Sequence, residues 1–210
     1  MFELKAKRNL LIVLPVAALL AVGAVGAIAE GDDNNPPSDD AVMVSTVEAE
    51  AAEAVSVLDA ERTAGDAMPA EIADDIGARA DFGMNPGLSR RAIANTTNSV
   101  FVLPARDHVC ATLTVGEGAT AICPRTSTLK SGSGAAGTAV LPGGDLAIFG
   151  IVPDGVASVS LETGEGDSRV LGVEDNAYYA VVASGTVLRS IRHKGLDGTV
   201  NLPIYDPLAP

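Results

Sequence analysis

Tryptophan is absent from this 210-residue chain, cysteine and histidine occur twice each, and the other aromatics are four Phe and three Tyr. A core with so few rings must be built from Val, Leu, Ile and Ala. The missing Trp counts against carbohydrate recognition, which commonly uses aromatic platforms. Common catalytic signatures are missing too: no G-x-S-x-G elbow, no H-E-x-x-H, no phosphate-binding glycine loop and no EF-hand series. A Ser-His-Asp set can be drawn only from scattered residues, such as Asp107 beside His108. Cys110, Cys123 and His108 offer three soft ligands, but no second C-x-x-C or His cluster completes a metal site. Neither a catalytic, a cofactor nor a metal site is therefore expected. A basic face is missing as well. Residues 30–85 carry fifteen acids against Arg62 and Arg79, and residues 86–210 carry eleven against nine Lys or Arg. That balance excludes nucleic acid as the expected partner, because phosphates need a positive surface.

What is present begins with Leu10–Ala29, a run of twenty apolar or small residues after Lys5, Lys7 and Arg8. As a helix it would cover roughly 30 Å, the hydrocarbon thickness of a bilayer. It ends in Ala27-Ile28-Ala29 before Glu30, a small-x-small pattern that signal peptidase accepts. Residues 1–29 are thus a signal peptide cleaved between Ala29 and Glu30, or a retained membrane anchor. Both remain open. No cysteine follows the run, which excludes a lipid-modified N-terminus. Positive residues stay cytoplasmic, so the rest of the chain is expected outside the membrane.

Residues 30–45 open with EGDDNNPPSDD and read as an acidic, disordered linker. Residues 46–95 read as a helical stalk. Val47, Ala51, Ala54, Val55 and Leu58 form an Ala-rich stripe at helical spacing, which predicts a loosely docked helix. Pro69 opens a second helix that Gly77 can stop, and Asn85-Pro86 opens a third with Arg90 and Arg91 on its solvated face. Asn95-Thr96-Thr97 is a glycosylation sequon.

From residue 96 to 205 the pattern is β-branched runs broken by Gly, Pro and Asp, which predicts an antiparallel β domain. Residues 125–138, RTSTLKSGSGAAGT, read as a small-residue, mobile loop. Val152-Pro-Asp-Gly-Val156 has the chemistry of a three-residue hairpin loop, pairing Phe149 with Val159 and Ala147 with Leu161. A turn in ETGEGDS then pairs Val159 with Leu171, and a turn at Glu174–Asn176 pairs Leu171 with Tyr179 and Val181 with Arg169. Four strands in this register share an apolar odd-numbered face. Arg169 is the charge on that face and belongs near a rim. The acidic loop Glu162–Asp167 reads as a solvated turn, with weak calcium binding as the alternative. TVLRSIRHK follows as an edge strand whose charges discourage further pairing. Arg189, Arg192 and Lys194, with His193, are its basic cluster, and the alternative reading is an edge that binds an anionic group.

The two cysteines lie in HVCATLTVGEGATAIC. A two-residue turn at Gly116-Glu117, with Gly first as a type II′ turn requires, pairs Val115 with Gly118. Counting outward brings Cys110 opposite Cys123 at a non-hydrogen-bonded position, where Cα atoms approach to about 4.5 Å. In an oxidising compartment this pair forms a disulfide.

The order FVLPARDHVCATL…AICP, followed by VPDGVASVSL and VLGVEDNAYYAVV, resembles uncharacterised small exported proteins of actinobacteria over roughly residues 55–200. The resemblance implies export, an N-terminal hydrophobic segment and a paired-cysteine unit, and carries over no catalytic residue. The expected fold is mainly β: an antiparallel meander or sandwich-like domain preceded by an N-terminal hydrophobic helix and short α-helices. The expected role is that of a non-enzymatic exported envelope protein, binding or structural, whose partner is an unknown envelope component. The membrane itself is a further partner if the N-terminus is retained. The alternatives are an extracytoplasmic hydrolase and the outer part of a membrane signalling pair.

Overall fold

The turn at Gly116-Glu117 forms where the spacing of the cysteines predicts it. Gly116 takes a left-handed φ of 56° and Val115 pairs with Gly118. The computed structural model describes residues 47–78, 83–95, 97–164, 166–195 and 198–205. The N-terminal run, the Ala29/Glu30 junction and the linker lie outside the described residues. Among the described residues no helix is long and apolar enough to cross a membrane.

Among the described residues, twelve strands form three four-stranded sheets. The first sheet runs in chain order: β1 (Arg90–Ala94), β2 (Asn98–Ala105), β3 (His108–Val115) and β4 (Gly118–Ile122). The remaining strands are β5 (Ala135–Val140), β6 (Leu146–Ile151), β7 (Ser158–Thr163), β8 (Ser168–Gly172), β9 (Ala177–Val182), β10 (Leu188–Gly195), β11 (Gly198–Leu202) and β12 (Ile204–Tyr205). They divide between a second sheet of order β12-β5-β6-β9 and a third of order β11-β10-β7-β8. Every pairing is antiparallel except β12 with β5.

The second sheet is the middle layer, because its two faces enter different cores. Ala147, Phe149, Ile151 and Ala177 pack with Val100, Val102, Ala111 and Leu113 of the first sheet. Ile148, Tyr178 and Ala180 pack with Val159, Leu161, Leu171 and Ile191 of the third. The outer face of the first sheet is covered by α2 (Ala70–Ala78). Its Ile72 and Ile76, one helical turn apart, cluster with Met68, Phe101, Leu103 and Cys110.

Close layers need small residues. A Cβ on Gly150 would run into the Tyr178 ring and the Ala135 carbonyl, and one on Gly137 would meet Ile122 and Phe149. The small residues of 125–138 therefore serve packing and are not a mobile loop. This segment forms α3 (Thr126–Lys130), with Leu129 buried, followed by β5.

Several other elements differ from the sequence reading. Pairing of Val159 with Leu171 forms as expected, but the hairpins on either side of it do not. β6 pairs with β9, setting Phe149 against Tyr179 rather than Val159. The chain crosses from the middle to the third sheet after Val152 and back again at Asp175-Asn176. That second turn closes a single bridge, Glu174 to Ala177, one residue out of the expected register. β10 is not an edge, because β11 flanks it on the side away from β7.

The expected helical stalk of 46–95 also divides. Residues 47–52 are helical (α1), but the chain extends at Val55, and Ala51, Ala54, Val55, Val57 and Leu58 are buried in the first core. Gly77 lies inside α2 and does not end it. Asn85 caps only the 3₁₀ turn Pro86–Leu88, after which Arg90–Ala94 is a strand. Arg90 is buried rather than solvated. Its guanidinium donates to the carbonyls of Ala60, Leu58, Leu88 and Ser89. Those bonds need an extended chain beside the 58–60 loop, and this outweighs the local helical signal.

Cys110 and Cys123 are joined, with Cα atoms 4.1 Å apart and a sequence separation of 13. Closing a loop of this size contributes about 3 kcal/mol in the chain-entropy account. The double variant Cys110→Ala/Cys123→Ala should therefore lose about 3 kcal/mol in urea unfolding. Unchanged stability would show that the hairpin register alone carries the constraint.

Candidate functional site

The basic residues of β10 separate by strand alternation. Arg192 and Lys194 project from the outer face of the third sheet, while Ile191 and His193 turn into the core. Arg189 sits at a register irregularity between Leu188 and Ser190 and takes no part in the face. Because β10 is an inner strand, the expected anion-binding edge becomes an open sheet face.

A shallow cavity of about 390 Å³ lies on that face. Ser158, Ser160, Val170, Arg192, Lys194 and Thr199 supply its outward-facing lining. Register explains the grouping: Ser160 pairs with Val170 and Arg192, Arg192 with Asn201, and Lys194 with Thr199. Arg192 is held at 2.9 Å by Glu162, which also accepts from the Ser190 hydroxyl at 3.0 Å. Glu162 is thus a positioning group for Arg192 and not a free calcium ligand. Val170, 70% exposed, is the apolar flank. Arg169 is exposed, as its expected rim position requires, and reaches the Val181 carbonyl at 3.5 Å.

A second cluster ties the early chain to the sheets. Asp154 Oδ1 accepts from the Ser56 amide at 2.9 Å, the Ser56 hydroxyl at 2.7 Å and the Asn176 side-chain amide at 2.8 Å. Asn176 in turn donates to the Val152 carbonyl and accepts from the Val57 amide. Asn176 adopts a φ of 65°, a region that Asn tolerates well. Partial burial pushes the Asp154 carboxyl upward, but the bonds from the Ser56 amide, Asn176 and the Ser56 hydroxyl outweigh it. The group is held below the ordinary carboxylate range. The sequence reading used Asp154 and Asn176 only as turn formers. Nothing local to either segment signals that Ser56 meets them.

The two histidines occupy different sheets, His108 on β3 and His193 on β10. His108 Nδ1 lies 2.6 Å from the Arg106 carbonyl. His193 is 3% exposed, and neither ring nitrogen has a hydrogen-bond partner among the described residues. The two imidazoles therefore belong to separate places in the fold.

Protein-family models, curated proteins and solved structures were compared with this chain, and none matches.

Two outcomes follow. A carboxyl depressed in the folded state adds stability above its unfolded value of about 3.9, and that contribution is lost as pH falls through the lower folded value. Asp154→Ala should cost about 1 kcal/mol at pH 7, discounted for solvent access, and flatten the acid limb of the stability profile below about pH 4. Wild-type stability with an unchanged acid limb would contradict this. His193→Leu removes an unsatisfied buried imidazole and should raise stability by about 1 kcal/mol, read as a higher urea midpoint. A lowered midpoint would mean that the imidazole has a partner in solution.

Proposed function

We propose that this chain is a non-enzymatic exported envelope protein whose β domain stands outside the membrane and binds or braces an envelope partner. The observation that carries this reading is the Cys110–Cys123 disulfide, a bond that forms and persists in oxidising compartments. The N-terminal run, with Lys5, Lys7 and Arg8 before it, supplies a route across the membrane in that orientation. Resemblance to the actinobacterial exported proteins points the same way. A binding role suits the outer face of the third sheet, where charged and hydroxyl side chains converge and the His193 ring is buried beneath them. The hydrolase alternative gains no support from two histidines on separate sheets.

Intact mass of the protein from its native host, combined with cell fractionation, tests the reading. The expected species is in the envelope or medium, two hydrogens lighter than the reduced chain, and either begins at Glu30 or retains the N-terminal run. A cytosolic pool with two free thiols per chain would overturn it.

A further inference from the structure

We propose that the outer face of the third sheet is a site for a phosphate-type oxyanion, a phosphomonoester or phosphodiester group, centred on Lys194. This deepens the binding reading above and rests on it. The geometry comes from two adjacent rows of residues crossing the sheet. One row holds Val170, Ser160, Arg192 and Asn201. In the next, Gly172 pairs with Ser158 and Lys194 with Thr199, and continuation of the β10–β7 ladder one residue past His193–Val159 sets Lys194 beside Ser158. Strands lie about 4.8 Å apart and same-face neighbours about 7 Å apart along a strand. Lys194 therefore has a hydroxyl residue on either side and a guanidinium one position along.

Three features make this a site rather than a decorated surface. Gly172 carries no side chain and its Cβ position opens onto empty space, so nothing projects from that end of the Lys194 row. Lys194, Ser158 and Thr199 have no side-chain hydrogen bond or ion pair among the described residues, so their donors are available. Arg192 is oriented by Glu162 yet 40% exposed, which fixes its guanidinium while leaving N–H groups for a ligand.

The donor set selects the chemical class. A planar carboxylate pairs with one guanidinium edge and directs its oxygens in one plane. Ammonium, guanidinium and hydroxyl donors arriving from β7, β10 and β11 instead match an anion whose oxygens point in several directions. No Phe, Tyr or Trp lines the cavity, and His193 turns its ring into the core, so recognition centres on the anionic group.

Amide NMR of the full chain in uncharged detergent, titrated with glycerol 3-phosphate and separately with acetate, tests the site. A second arm places the full chain in phosphatidylcholine nanodiscs with or without phosphatidylglycerol, which distinguishes a lipid headgroup from a soluble phosphate. Expected are saturable shifts at Ser158, Ser160, Arg192, Lys194 and Thr199 with a phosphate source in either arm, and affinity for acetate about tenfold weaker. Lys194→Met should weaken binding about tenfold and Arg189→Met should leave it unchanged. Both are exposed positions, so the folded spectrum is retained. Flat titrations in both arms, wild-type binding by Lys194→Met, or equal affinity for acetate would overturn the proposal. A cytosolic location would overturn the exported reading and leave these titrations standing, whereas flat titrations would leave the location intact.

Discussion

Burial of β6 on both faces is the constraint on which the rest of the architecture depends. Ala147, Ile148, Phe149 and Ile151 are all removed from water, and alternate residues face opposite layers. A strand in that position needs a sheet on each side. The chain accordingly leaves the middle sheet after β6, builds β7 and β8 in the third, and returns as β9 to pair with β6. The low aromatic content fits the same demand. Layers held close by Ala, Val and Gly have little room for rings, and Tyr178 fits because Gly150 lies opposite it.

The constraint also explains what could be read locally and what could not. Tight turns that close their own ladders were legible: Gly116-Glu117 placed Cys110 opposite Cys123, and the turn after Thr163 placed Val159 opposite Leu171. Turn chemistry at Pro153–Gly155 was legible as a turn, with Gly155 at a φ of 80°, but not as a crossing between sheets. Pro-Asp-Gly reads the same whether the next strand folds back or faces its predecessor. The signal that separates the cases is LAIFGIV, a continuous apolar run where a one-sided strand would alternate. Arg90-Arg91 misled because a buried Arg satisfied by carbonyls has no sequence signature. GTVNL is short and polar on one side, and reading β10 as an edge left it without a place.

On the outer face of the third sheet, side-chain identities were visible in TVLRSIRHK but their grouping was not. Alternation alone separates Arg192 and Lys194 from His193. The irregularity at Leu188/Ser190 sets Arg189 apart from both. Ser158 and Thr199 enter only through the ladders on either side. The face thus emerges from β7, β8, β10 and β11, each contributing one or two side chains. Its chemistry is cationic on a chain whose net charge is −13.

The Ser56–Asp154–Asn176 latch has a mechanical consequence. Residues 51–58 are inserted in the core between the first and middle sheets, and their last polar contacts are made to the two loops through which the chain changes layers. Tension drawn along the polypeptide from its N-terminal side would enter the domain at this junction. It would be resisted by several bonds loaded together rather than unzipped one at a time. A tether attached there would pull on the crossings that join the middle sheet to the third.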